Sequence, residues 1–169
     1  QNLVEGHGLT FNLDPQERPV EGYTNFSWTL LLALGMQLGC TGDAIEAWSQ
    51  GLGIAMHAGT VLLLGIAAFR LGGGRASVPI GALGYAAHHH AASLAPAGLE
   101  TAMFTLLGVA MALGTMVVRS FRGAMGLGLL AVLAATTRPD GALFVIASGA
   151  FLLFEALRGR GKALLFGYA

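Results

Sequence analysis

Five long apolar stretches follow one another along this chain, and charged residues sort to alternate boundaries between them, basic at one set and acidic at the other. Only 11% of the residues are charged and 54% are hydrophobic, with a mean hydropathy of +0.66. Soluble domains carry roughly 25% charged residues, so the composition assigns the chain to a bilayer. The formal net charge of zero hides this sorting and gives no basis for a nucleic-acid partner. The lone cysteine, Cys40, cannot form an internal disulfide and reads as a buried thiol.

The first span is residues 46–69, closed by Arg70 and Arg75. A second, 78–95, ends near Pro96 and Gly98, and a third, 101–118, runs into Arg119 and Arg122. The fourth, 123–137, is short and ends at Arg138-Pro139-Asp140-Gly141; the fifth, 141–157, ends at Arg158, Arg160 and Lys162. Cytoplasmic loops of membrane proteins collect Lys and Arg. Placing these clusters inside puts seven of the nine basic residues in the cytoplasm and leaves Asp43, Glu46, Glu100 and Asp140 outside with Arg138.

Residues 26–40 make about 22 Å of helix, short of the ~20 residues that a crossing needs, and read as an interfacial or re-entrant helix with Trp28 at the headgroup level. If this segment crosses fully, the polar N-terminus moves to the cytoplasm. The expected organisation is a polar extracytoplasmic loop over 1–25, the interfacial helix over 26–42, and a transmembrane bundle over 43–169. The fold class is all-α, a polytopic helix bundle. The chain begins at Gln1 and stops within the apolar run 163–166, so it is expected to be a piece of something longer.

The polar groups concentrate on the outer side. Thr24 or Asn25 can cap the helix that starts near Phe26, because a short side-chain oxygen accepts from first-turn amides. Glu5, Glu17, Glu21 and Tyr23 offer ligands for a divalent cation or for sugar hydroxyls, or sit in solvent; Pro19 breaks any helical register between the last two carboxylates. Glu100 opens the third span, where the helix dipole favours an anion. Arg138 and Asp140 place a cation and a carboxylate beside a short span, either as a local ion pair or as part of a wet cavity. His88, His89 and His90 point about 100° apart on a helix and lack matching carboxylate or Cys ligands, so polar helix contacts are expected there and at His57, and no metal site. Gly35 and Gly39 have the spacing that lets helices approach closely in lipid.

Taken together, Asn2-Leu3-Val4-Glu5-Gly6-His7-Gly8-Leu9, Phe11-Asn12, Glu17-Arg18 and Val20-Glu21-Gly22-Tyr23-Thr24-Asn25-Phe26, followed by Trp28, resemble the first outer loop of bacterial GT-C membrane glycosyltransferases, in particular the group similar to the mycobacterial terminal arabinofuranosyltransferase. Gly98-Leu99-Glu100-Thr101 and Thr137-Arg138-Pro139-Asp140-Gly141 fall where that family would have them. The resemblance implies a multi-pass protein of the bacterial inner membrane. It would move a sugar from a polyprenyl-phosphate donor to a cell-envelope glycan or lipid acceptor on the extracytoplasmic face. His7, Asn12, Glu17, Arg18, Glu21 and Tyr23 would then shape the outer cavity, Glu100 and Asp140 would face it, and Arg138 would take the donor phosphate. The resemblance also implies a catalytic base in an acidic stretch upstream of Gln1, so the fragment alone is expected to be inactive. The insert Leu13-Asp14-Pro15-Gln16 and the extra Pro19 depart from the family's shorter turn. The rivals are a transporter or lipid-binding membrane protein, and a non-catalytic structural subunit.

Overall fold

In a computed structural model of the chain, residues 2–10, 24–72, 78–118 and 120–158 are described. Among them the regular structure is entirely helical: α1 (Phe26–Gln37), α2 (Asp43–Leu71), α3 (Ile80–Ala87), α4 (His89–Leu94), a 3-10 turn (Ala95–Ala97), α5 (Thr101–Val117), α6 (Phe121–Thr137) and α7 (Gly141–Leu157). The all-α expectation holds. One helix, Asp43–Arg70, is long and apolar enough to cross a membrane, with a mean hydropathy of 2.0 and 11% of its apolar window buried. A core helix of a soluble domain would be mostly buried, so this one presents its apolar surface outward. Helices α5, α6 and α7 have 17 residues each, about 25 Å of helix.

The stretch 78–95 departs from expectation. It is two short helices and not one span, because His88 adopts an extended backbone (φ −70°, ψ 107°) and its Nδ1 accepts from the Ala91 amide at 3.3 Å. A histidine acting as helix N-cap ends one helix and starts the next. The expected start of the fourth span also shifts, from 123 to 121, since Ser120 caps α6 by accepting from the Gly123 amide.

Helices α2, α5 and α7 run in the same direction and α6 runs against them. Leu106 of α5 lies beside Gly59 of α2, and Phe144 of α7 beside Gly108 of α5. Farther along, Ala67 and Arg70 of α2 share a groove with Leu113 and Val117 of α5. The core is a line of Trp28, Met103, Leu107, Met111, Val118, Leu127 and Ala134, drawn from α1, α5, α6 and the α5–α6 turn. Trp28 is only 3% exposed and belongs to this core, so its ring is buried among the helices, as suits a large aromatic. Threonines inside the bundle bond to their own helices, Thr60 to the Met56 carbonyl and Thr137 to that of Leu133, so no buried hydroxyl is left unpaired there.

Close approaches fix the heights of the helices. The 3-10 turn lies on α2 where Gly53 faces the Ala95 carbonyl, and a Cβ at that glycine would overlap it. Gly98 (φ +71°) then turns the chain into α5 beside Ser49. Gly35 packs against the Trp48 indole, whose Nε1 donates to the Leu31 carbonyl at 3.1 Å. Gly39 lies beyond α1 in the left-handed region (φ +95°), so the expected small-residue pair serves as one packing contact and one turn.

With these directions set, Glu100, Arg138 and Asp140 lie at one end of the bundle and Arg70, Arg122 and Arg158 at the other. Glu155, near the end of α7, is an exception. The alternation of charge along the sequence is therefore a separation of charge in space. Many large apolar side chains face outward, including Leu62, Ile66 and Phe69 on α2, Phe121, Met125, Leu129 and Val132 on α6, and Ile146, Leu153 and Leu157 on α7. The α6 set recurs at intervals of three and four, one continuous stripe.

Candidate functional site

The acidic end is built from three helix termini. Asn25 is the N-cap residue of α1, Glu100 that of α5, and Arg138 the residue that ends α6. Arg138 leaves the helix in an extended conformation (φ −150°, ψ 145°), and Pro139 and Asp140 make the turn into α7, where Gly141 lies directly on the backbone of Ala134 and Ala135. The Gly141 amide closes this turn on the Arg138 carbonyl at 2.9 Å.

Neither cap residue uses its side chain to cap its own helix. Asn25 Nδ2 instead donates to Glu100 Oε2 at 3.3 Å, and its Oδ1 accepts from Thr29 Oγ1 at 3.4 Å. This corrects the expected capping role: the amide is spent across the bundle. Glu100 Oε1 lies 3.8 Å from Arg138 Nη1, and Arg138 Nη2 donates to Asp140 Oδ2 at 3.3 Å. The guanidinium carbon sits 5.4 Å from the centre of the Phe104 ring, within cation–π range. Phe104 in turn packs on Phe144 at 5.3 Å, so the arginine has an aromatic floor. The Ser27 and Thr136 hydroxyls share a hydrogen bond at 2.6 Å, which holds α1 to the end of α6.

Exposure differs across the cluster: the Glu100 side chain is 19% exposed, Arg138 38% and Asp140 63%. The Glu100 pair is the sheltered one and the Asp140 pair the wet one. An arginine has five N–H donors in a fixed fork, and only those on Nη1 and Nη2 face carboxylates here. The arrangement can therefore accept a further planar or tetrahedral anion at Arg138, provided that one carboxylate gives way. Two carboxylates against one guanidinium leave the closed cluster one charge negative.

Glu100, Arg138 and Asp140, separate in the sequence expectation, are thus brought together. His7 lies in the compact turn of residues 2–10, exposed, where its amide bonds to the Asn2 carbonyl at 2.9 Å; among the described residues nothing joins it to the cluster. Asn12, Glu17, Arg18, Glu21 and Tyr23 lie outside the described residues. His88, His89 and His90 are exposed and contact one another or their own helix, in place of the expected contacts between helices. His57 does make one, stacking on Tyr85 of α3 at 4.8 Å. Among the described residues no group of three or more His, Cys, Asp or Glu is arranged to hold a metal ion.

Two members were missed in the sequence. Asn25 was legible only as a cap, and Phe104 as core. Phe104 stands four residues after Glu100, hence on the same helix face, which was the available signal. No protein-family model, curated protein or solved structure matches this chain.

Proposed function

We propose that the chain is part of a polytopic GT-C-type glycosyltransferase of a bacterial plasma membrane, which moves a sugar from a polyprenyl-phosphate donor to an acceptor hydroxyl outside the cytoplasm. The observation that carries this reading is Arg138, a half-exposed guanidinium anchored by Glu100 and Phe104 at the acidic end. The outward apolar belts and the separation of the basic end support a bilayer setting with this cluster outside. The short α1, followed after a five-residue link by α2, suits an interfacial or re-entrant helix.

In the reaction, the acceptor oxygen attacks the anomeric carbon as the bond from that carbon to the phosphate oxygen breaks. The phosphate keeps the electron pair and leaves with its lipid, and configuration inverts. Arg138 neutralises the charge that develops on the phosphate, an interaction that strengthens along the reaction path. Glu100 keeps the guanidinium in place. The hydroxyl proton passes to a carboxylate base, a role that the family resemblance implies; Glu100, the sheltered partner of Arg138, is committed to holding the guanidinium.

Purified full-length protein should retain a polyprenyl-phosphate sugar, Arg138→Ala should lose most of that retention, and Arg138→Lys should fall between, because a point charge replaces the fork. Equal retention by all three would remove the phosphate role.

The transporter reading draws on one observation: His57 Nδ1 is buried without a hydrogen-bond partner among the described residues, in the middle of α2. The polar cluster, however, lies at one end of the bundle, whereas transporters bind near the bilayer midplane.

A further inference from the structure

A second concavity lies beside the cluster, on the neighbouring strip of α5. It has a volume of about 410 Å³ and is walled by Tyr85, His88, His90, Leu94, Thr101 and Thr105, among others. That size falls within the roughly 300–1,000 Å³ of small-molecule sites, which combine an apolar lining with a few convergent polar groups. His88, the residue at which α3 ends and α4 begins, forms part of its wall.

The polar groups here are largely uncommitted. His88 uses only Nδ1, for the Ala91 amide. Among the described residues neither nitrogen of His90, nor the Tyr85 hydroxyl, nor the Thr101 hydroxyl has a hydrogen-bond partner, while Thr105 donates to the Thr101 carbonyl at 2.9 Å. The Tyr85 ring is held rigid by its stack on His57. Among the described residues no Lys, Arg, Asp or Glu lines the cleft. Among these residues an anion would find no fixed cation, and a cation no carboxylate. A hydrocarbon chain would leave the phenol and imidazole groups without partners, at a cost of the order of a hydrogen bond each.

We propose that this cleft binds a neutral sugar ring, the acceptor glycan of the transfer reaction. A sugar offers hydroxyls that both donate and accept, matching imidazole, phenol and threonine side chains, and C–H faces that match the apolar remainder. The placement suits the chemistry. Thr101 follows Glu100 directly, and Phe104, which carries Arg138, lies one strip round the same helix. An acceptor in the cleft and a donor phosphate at Arg138 would therefore meet across the first turn of α5. This inference rests on the glycosyltransferase reading for its role, and on the cleft alone for its ligand.

The test uses full-length protein in detergent, octyl glycosides differing in the sugar ring as probes, and octyl sulfate as a control of equal chain length. At least one neutral glycoside should bind more tightly than octyl sulfate. Tyr85→Phe, which keeps the stacked ring, and His90→Ala, which removes an exposed side chain, should each weaken that glycoside by about two- to twelvefold, the effect of one lost hydrogen bond. Both variants should still retain the polyprenyl-phosphate donor, and Arg138→Ala should still bind the glycoside. Absence of glycoside binding, binding no tighter than octyl sulfate, or binding indifferent to both cleft variants would overturn the inference. Glycoside binding that tracks the cleft, together with donor retention indifferent to Arg138→Ala, would sink the phosphate role and leave the cleft's ligand assignment standing.

Discussion

Arg138 has two carboxylate neighbours, and they differ in what they do for it. Glu100 is sheltered, bonded to Asn25, and fixed at a helix start; Asp140 is two residues away on an exposed turn. An exposed ion pair is worth roughly 0–1 kcal/mol, so Asp140 can be displaced by a phosphate at little cost. If Arg138 takes the donor phosphate as proposed, Asp140 competes with it for the guanidinium. Asp140→Asn should therefore tighten donor retention, by up to about fivefold for that ceiling, and the gain should shrink as salt is raised. Weaker retention in this variant would mean that Asp140 contacts the donor. The residues that could be read from sequence were the charged ones, since ionisable groups near a bilayer need partners. Asn25 and Phe104 could not, because an amide before a helix and a phenylalanine within one have ordinary explanations that only a third element overturns.

The helices were legible where length and composition agree. The 101–118 and 141–157 stretches end within a residue of α5 and α7. The break at His88 was not, because it depends on a local exchange of one backbone bond for a side-chain cap, and neither periodicity nor a glycine or proline marks that position. The burial of Trp28 was not legible either, because an amphipathic ring gives no sequence signal of whether it faces its surroundings or the neighbouring helices. What sets the height of Glu100 is the seat of the 3-10 turn on α2. Gly53→Ala should push the Ala95 carbonyl away and destabilise the bundle by about 1–3 kcal/mol, the usual range for overpacking. In the detergent-solubilised full-length protein this is a lower unfolding midpoint, and the comparison is Gly51→Ala, where a methyl group meets nothing. Equal midpoints for the two variants would show that the turn is not seated there.

For the molecule as a whole, the arrangement turns on two ends of opposite chemistry joined by helices whose outward faces are apolar. In water such faces would drive aggregation; in lipid they need no further cover. On the proposed bilayer reading, the charge separation would turn the end carrying Arg70, Arg122 and Arg158 to the cytoplasm, and the polar cluster and neighbouring cleft would lie on the opposite side. Sidedness is thus the premise beneath both proposed binding roles. Single cysteines at positions 99 and 158, introduced into the full-length protein with Cys40→Ser, can be exposed in intact spheroplasts to a maleimide that does not cross membranes. Leu99→Cys should react at once and Arg158→Cys only after the membrane is opened; the reverse order would overturn the proposed sidedness.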